Sequence, residues 1–391
     1  MKHPRFILPI IVIAQFCCTS LWFAGNAVMG DLVENYGLPE NVLGHLTSAV
    51  QLGFIMGTLV FAILTIADRF SPSKVFFISA FLASLCNLGI LSENNSLFSI
   101  LFLRFFTGFF LAGIYPVGMK IAADYNKKGL GKSLGFLVGA LVLGTAFPHL
   151  AKELTAAYPW KSVLVLTSTL SVLGGVLMFL LVPNGPFRQA GYKLELAAFT
   201  RVFRNRKFRS AAFGYFGHMW ELYAFWAFVP IILKTYSFRH SEAIINIPFW
   251  SFLIIGMGGL ACVIGGYLAQ IAGTKRIALL ALLLSALCCL LSPWMFTIAS
   301  ESLFLAFLLF WGMVVVADSP LFSTLVAKNA PAEIQGTALT IVNCIGFSIT
   351  IISIQLLNHL YVITNPLYIY TILAFGPILG ILASLQKRNV T

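Results

Sequence analysis

Charge is the scarcest ingredient of this chain. Only 10% of its 391 residues are Asp, Glu, Lys or Arg and 59% are hydrophobic, against about 25% and 45–50% in soluble domains. A water-exposed surface cannot be built from that supply. The sequence also has no polar stretch long enough for a nucleotide-binding or large catalytic domain. The short chemical motifs are missing too: no GxxxxGK[ST] phosphate loop, no HExxH zinc helix and no GxSxG nucleophile elbow. An enzyme would therefore need an intramembrane constellation. Cys17, Cys18, Cys86, Cys262, Cys288, Cys289 and Cys344 all lie in apolar runs, without CxxC or mixed Cys/His spacing. They read as small buried hydrophobes, with no disulfide framework, metal or cofactor expected.

Long apolar runs fill the space instead. They sit at about 6–29, 44–66, 74–92, 97–122, 132–152 and 160–182, and again at 209–235, 247–271, 275–297, 302–327, 334–358 and 365–386. A membrane-crossing helix needs about 20 apolar residues, so this is six spans plus six. The 36 Phe, 32 Gly and 16 Pro suit lipid-immersed helices, where neighbours satisfy backbone groups freed by Gly and Pro. The first run follows Lys2 and Arg5 like a signal peptide, but similar runs continue to the C-terminus and it reads as a retained span. The expected fold is an all-α membrane protein of twelve transmembrane helices in two pseudo-symmetric six-helix bundles, residues 1–182 and 209–391. A basic polar linker at 183–208 joins them.

The net charge of +12 would suggest nucleic acid in a soluble protein; here it reports orientation, and no nucleic-acid partner is expected. With the N-terminus in the cytoplasm, 20 of the 25 Lys and Arg fall on the cytoplasmic side, among them Arg69, Lys74, Lys120, Arg188 and Lys328. Four (Lys152, Lys161, Lys234, Arg239) fall outside and Arg104 lies within a span. Both termini are thus expected in the cytoplasm of a cell (inner) membrane protein.

The halves repeat. Leu101-Phe102-Leu103 and Leu303-Phe304-Leu305 open the fourth and tenth spans, and at the same offset of 202 the loop Leu64 to Lys74 meets Gly266 to Arg276. Two landmarks at one offset suggest internal duplication. These loops resemble a signature of the major facilitator superfamily of secondary transporters, Gly-x-x-x-Asp-Arg-x-Gly-Arg-Lys between the second and third helices. Asp68, Arg69 and Lys74 remain, with Leu64 and Ser71 in place of the glycines; the later copy keeps Gly265, Gly266, Gly273, Lys275 and Arg276 but has Gln270 for the acid. Arg104 and Gly108, followed by Tyr115-Pro116, resemble the superfamily's Arg-x-x-x-Gly fourth-helix pattern. Gly135, Gly139, Gly144 and Pro148 resemble the glycine-rich fifth helix of exporters without its Gly-Pro step. The stretches Gly214 to Tyr223 and Ala317 to Pro320 are similar to a bacterial branch grouped loosely with nitrate and cyanate permeases. Nitrate porters hold the anion with arginines in helices two and eight, which have no internal Arg here, so nitrate is not carried over.

An ionisable group in a spanning helix is costly and marks a pathway, a proton relay or a buried pair. Glu221 lies twelve residues into the seventh span, about 18 Å along it and near the middle of a core about 30 Å thick. His218 is three positions earlier on the same face, where the two can meet or share a ligand. Such a carboxylate beside an imidazole is expected to bind and release a proton; a static pair holding helices together is the competing reading. Asp318 sits deep in the tenth span before Ser319 and Pro320, where a bend exposes carbonyls. Arg104 is read as a ligand for an anion, a structural partner of Glu221 or Asp318, or a side chain that snorkels outward.

Trp311, Phe322, Tyr115 and Phe225 are expected to line the pocket. Asp68, Arg69 and Lys74 are read as a cytoplasmic gate, while Lys120 is expected to snorkel and His149 with Glu153 to sit at the outer rim. The resulting expectation is a monomeric secondary transporter in the lipid bilayer. It would move a small polar or anionic solute by alternating access, with proton coupling. Export of amphipathic compounds, or a receptor built on a transporter scaffold, are the alternatives.

Overall fold

Several helix starts follow side chains or prolines that deal with the backbone N–H groups a first turn leaves unbonded. In a computed structural model describing residues 6–39, 41–125, 130–188, 202–331 and 334–385, except the side chains of 130–132, Asn205 accepts from the amides of Lys207 and Phe208 to open the seventh span. Asn246 accepts from Phe249 to open the eighth, and Ser96 and Ser99 cap the fourth reciprocally. Lys2, Arg5, Lys127, Lys128, Lys193, Arg201, Lys387, Arg388, the Lys132 side chain and half of the 183–208 linker (189–201) lie outside the described residues.

The spans are α1 (Ile7–Thr19, continued by short helices Ala24–Ala27 and Met29–Tyr36), α2 (Val42–Ile63), α3 (Pro72–Gly89), α4 (Leu97–Leu111 and Tyr115–Tyr125), α5 (Leu130–Leu154) and α6 (Lys161–Leu181). The second set is α7 (Arg206–Arg239), α8 (Ile247–Ala272), α9 (Thr274–Met295), α10 (Glu301–Ala317 and Ser319–Asn329), α11 (Gln335–Ile363) and α12 (Ile369–Ala374 as a 3-10 turn, then Phe375–Leu385). Among the described residues ten helices are long and apolar enough to cross a membrane, and Ile7–Thr19 and Ile369–Leu385 are shorter apolar helices in the first and last places.

Each bundle repeats one packing scheme. In the first, α2 lies on α4, α1 on α6 and α3 on α6; in the second, α8 lies on α10, α7 on α12 and α9 on α12. Glycine sets the α2–α4 and α8–α10 distances. A Cβ on Gly108 would stand 2.0 Å from the Val50 carbonyl oxygen, and one on Gly312 would stand 2.0 Å from that of Ile254. Both members of this contact shift by 204 residues between the bundles, two more than the offset read from the sequence landmarks.

Three spans are broken near their middles. Proline follows two of the breaks, where it has no N–H for the carbonyl four residues earlier and its ring clashes there, although Pro148, Pro230 and Pro293 lie inside α5, α7 and α9 without breaking them. Pro116 follows the α4 break at Ala112–Ile114, and Pro320 follows the α10 break at Asp318. Pro320 has no N–H to give the Val316 carbonyl, which accepts from the Asp318 amide and from the Cys262 thiol of α8, the latter at 3.3 Å. α1 breaks at Ser20–Phe23 without proline.

The bundles meet along two pseudo-equivalent seams, α5 with α8 and α2 with α11. The face bearing the junction between α6 and α7 is termed here the linker face. At the opposite, far face, Asn358 of α11 donates to the Asn41 carbonyl at 2.9 Å and Gln355 donates to Ser48 at 2.8 Å. Gly44 makes room for Asn358, whose side chain would lie 2.7 Å from an added Cβ. Toward the linker face, a cavity of about 530 Å³ opens between α5, α8 and α10. The bundles are thus pinned together at the far face.

Candidate functional site

Arg104 projects from α4 toward the α1 break and is 1% exposed. Its guanidinium donates to the carbonyls of Leu21 (3.2 Å) and Trp22, and reaches Asn87 Oδ1 at 3.5 Å. A broken helix in a membrane interior leaves carbonyls that must find a donor, and a planar guanidinium with five donors can serve several at once. These hydrogen bonds go to neutral acceptors on α1 and α3; Glu221 and Asp318 have other partners.

The expected His218–Glu221 pairing is replaced by two separate arrangements. His218 Nδ1 stands 2.8 Å from Asp318 Oδ1, both residues 1% exposed, so the pair joins α7 to the break of α10. His218 Nε2 has no hydrogen-bond partner among the described residues. Glu221 turns the other way, where its Oε1 accepts from Ser285 (2.5 Å), Trp311 (2.7 Å) and the Cys289 thiol (3.2 Å). Ser285 and Cys289 lie one turn apart on α9, so one face of that helix supplies two of the three donors. Same-helix spacing had shown that His218 and Glu221 could meet, but the partners that take them come from other helices.

The aromatic residues divide between these regions. Trp311 both donates to Glu221 and packs on Phe225, with ring centroids 4.4 Å apart. Phe322 fills the space over Gly214 of α7. Tyr115 restarts α4 after its break and lies within electrostatic range of Cys262, Tyr215 and Tyr223 in the second bundle. Trp220 faces α12, donating to the Ile372 carbonyl at 3.0 Å. Between the bundles, Trp22 packs on Phe54 (4.8 Å), Tyr223 (5.7 Å) and Phe347 (5.8 Å), while Phe54 and Phe347 lie 4.6 Å apart.

Uncharged polar groups lie on the helices that form this centre, and the sequence reading passed over most of them. Gln15 and Gln51 are fully buried, with neither amide atom partnered among the described residues. The indole N–H groups of Trp22 and Trp226 are likewise unpartnered there. A buried donor or acceptor without a partner costs about 1–3 kcal/mol. The available signal was an amide inside an apolar run, which is costly in lipid just as a charge is.

At the linker face Asp68 pairs with Lys120 of α4 at 2.7 Å, so this lysine is an ion-pair partner and does not simply snorkel. Arg188, just beyond α6, donates to the carbonyls of Asp68 (2.7 Å) and Phe70 (2.8 Å). Arg69 and Lys74 are exposed. His149 is 2% exposed and lies five residues before the outer end of α5. The thiols of Cys18, Cys262 and Cys289 all donate hydrogen bonds, so these cysteines are more than space-fillers.

The sequence model of the Major Facilitator Superfamily matches residues 11–354. No curated protein matches the chain in sequence. Among solved structures the chain is similar to a bacterial homolog of the human lysosomal transporter Spinster, in an inward-facing and unoccupied conformation, at 14% identity and a TM-score of 0.73 over 98% of this chain and 96% of that one. It is also similar to the human organic anion transporter MFSD10 (TETRAN), at 14% identity and 0.75 over 98% and 100%. The nucleoside transporter NupG is similar at 14% identity and 0.72 over 97% and 98%. At such identities the likeness is one of fold.

Proposed function

The chain belongs to the Major Facilitator Superfamily, whose members are transporters and not enzymes, and from that premise we propose that it is a proton-coupled secondary transporter of a small polar solute. The observation that carries the reading is the buried His218–Asp318 pair at the α10 break, 2.8 Å apart with His218 Nε2 unpartnered. An imidazole between a carboxylate and an open position can gain or lose a proton as the bundles rock. Broken helices near the midplane offer a place for solute and ion together.

The interior charges favour a polar solute over an anionic one. Arg104 is committed to Leu21 and Trp22, and the unpartnered groups of Gln15, Gln51, Trp22 and Trp226 are neutral. Glu221, held by α9 and α10 donors, is assigned to coupling. The linker face, rich in Lys and Arg, is placed in the cytoplasm with both termini. The far-face contacts of Asn358 and Gln355 support reading this arrangement as the inward-facing member of an alternating-access cycle. Asp68, Arg69 and Lys74 act as the gate of the opposite state; in this one Asp68 rests on Lys120 of its own bundle. The chain works as a monomer, since both walls of the centre come from one polypeptide.

Purified protein in liposomes tests the reading. A pH gradient should drive uptake of a polar solute, and adding that solute should dissipate the gradient. Solute movement with neither effect refutes proton coupling. The central aromatic packing supports a second reading, export of amphipathic compounds with Asp318 as a cation hook. A toxic-compound resistance panel separates the two.

A further inference from the structure

Two cavities on the α5–α8 seam meet in a way that central solute binding does not use. The first, about 510 Å³, is lined by apolar side chains and glycines, including Ile13 and Phe16 of α1, Leu143 of α5, and Phe252, Met257 and Leu260 of α8. Ile13 and Leu260 are 51% and 50% exposed on this face, which in a membrane meets acyl chains. The second is the cavity of about 530 Å³ toward the linker face, where Gln270, Thr274, Thr324 and Lys328 supply polar groups. Phe136 and Val263 line both. The two therefore form one groove, apolar in mid-membrane and polar with a lysine where the headgroups lie.

We propose that this groove holds an anionic phospholipid of the linker-face leaflet. Its acyl chain would lie along α1, α5 and α8, with its phosphate at Lys328. Dimension and charge both fit. Thirteen residues of α8 separate Met257 from Gln270, about 20 Å of helix at 1.5 Å per residue and enough to cross one leaflet of a core about 30 Å thick. Lys328 is exposed at the end of α10, where a cation attracts an anionic headgroup. α1 and α5 belong to one bundle and α8 and α10 to the other, so the bound lipid bridges the bundles and favours the arrangement in which the groove exists.

Native mass spectrometry of the full chain, equilibrated in detergent with equal amounts of phosphatidylglycerol and phosphatidylcholine, tests this without any transport assay. Loss of proton coupling would therefore leave it standing. The wild type should retain phosphatidylglycerol about fivefold over phosphatidylcholine, the factor that one lysine near an anionic surface supplies. Lys328→Gln should abolish the preference and Lys328→Arg should keep it. Leu260→Trp, which fills the apolar arm, should lower retention of both lipids at least threefold. Circular dichroism and the elution profile check that the variants are folded. Equal retention of the two lipids by the wild type, or an undiminished preference in Lys328→Gln, overturns the proposal. Protein-dependent movement of labelled phosphatidylglycerol across a vesicle bilayer would also overturn it, making the groove an entry path for a transported amphiphile.

Discussion

Replacing Gly108 or Gly312 by alanine isolates the contact that both bundles share. The added Cβ would lie 2.0 Å from a backbone carbonyl oxygen, Val50 in one case and Ile254 in the other, where real Cβ atoms come no closer than 3.0 Å. The helices must separate by at least about 1 Å, and neither oxygen can rotate away because each belongs to a helix backbone. Two terms compete. Alanine is favoured over glycine inside a helix by about 1 kcal/mol, and overpacking a tight interface costs about 1–3 kcal/mol, occasionally more. A clash against backbone falls at the upper end, leaving each variant destabilised by about 1–2 kcal/mol. Gly266→Ala supplies the control: with nothing within 4 Å of its added Cβ, it should be neutral or gain up to about 1 kcal/mol. Unfolding midpoints of the purified proteins in one detergent measure the differences. With no residues shared between the two sites, the double variant should be additive within about 0.5 kcal/mol. If Gly108→Ala and Gly312→Ala are as stable as Gly266→Ala, the two bundles are not spaced by these glycines.

Glu221→Gln should abolish concentrative uptake while exchange across liposomes persists, and a variant that still concentrates solute would move the proton site elsewhere. Asp318→Asn should remove the dependence of uptake on the pH gradient; an unchanged dependence would make the His218 pair structural. Arg104→Lys should expose Trp22 to a water-soluble fluorescence quencher, because a point-charge ammonium cannot span the Leu21 and Trp22 carbonyls together, and unchanged quenching would sink the clamp. Thr65 is in the left-handed region at φ 49°, so Thr65→Gly should raise stability by about 1 kcal/mol in the same unfolding assay, with no gain contradicting local strain.

The architecture was readable because the lipid environment imposes simple constraints. Span length and the placement of Lys and Arg carry most of the twelve-helix reading, and Pro320 marked the place of the break at Asp318, although Pro148, Pro230 and Pro293 leave their helices continuous. The α1 break carries no proline, and the reason for Arg104 is visible only once α4 is laid beside it. Glu221 stood out as a charge, yet its partners Ser285 and Cys289 are small residues in the apolar run of α9, where a hydroxyl or thiol hardly disturbs hydropathy. His218 was tied to Glu221 by helical spacing, which relates neighbours on one helix and says nothing of the carboxylate that arrives from α10. The duplication was legible as an offset of 202, but the Leu101 and Leu303 landmarks lie in the same helices as Gly108 and Gly312, whose backbone contacts set the offset at 204, so the sequence landmarks are two residues out of structural register.

The Cys262 thiol gives the molecule its own reporter. It donates to the Val316 carbonyl, which the missing N–H of Pro320 leaves without its usual helical donor, and an S–H stretching vibration falls where other protein groups scarcely absorb. Because the Cys18 and Cys289 thiols also donate, the difference between the wild-type infrared spectrum and that of Cys262→Ala isolates its band, whose frequency should follow the opening and closing of the α10 break without an attached label.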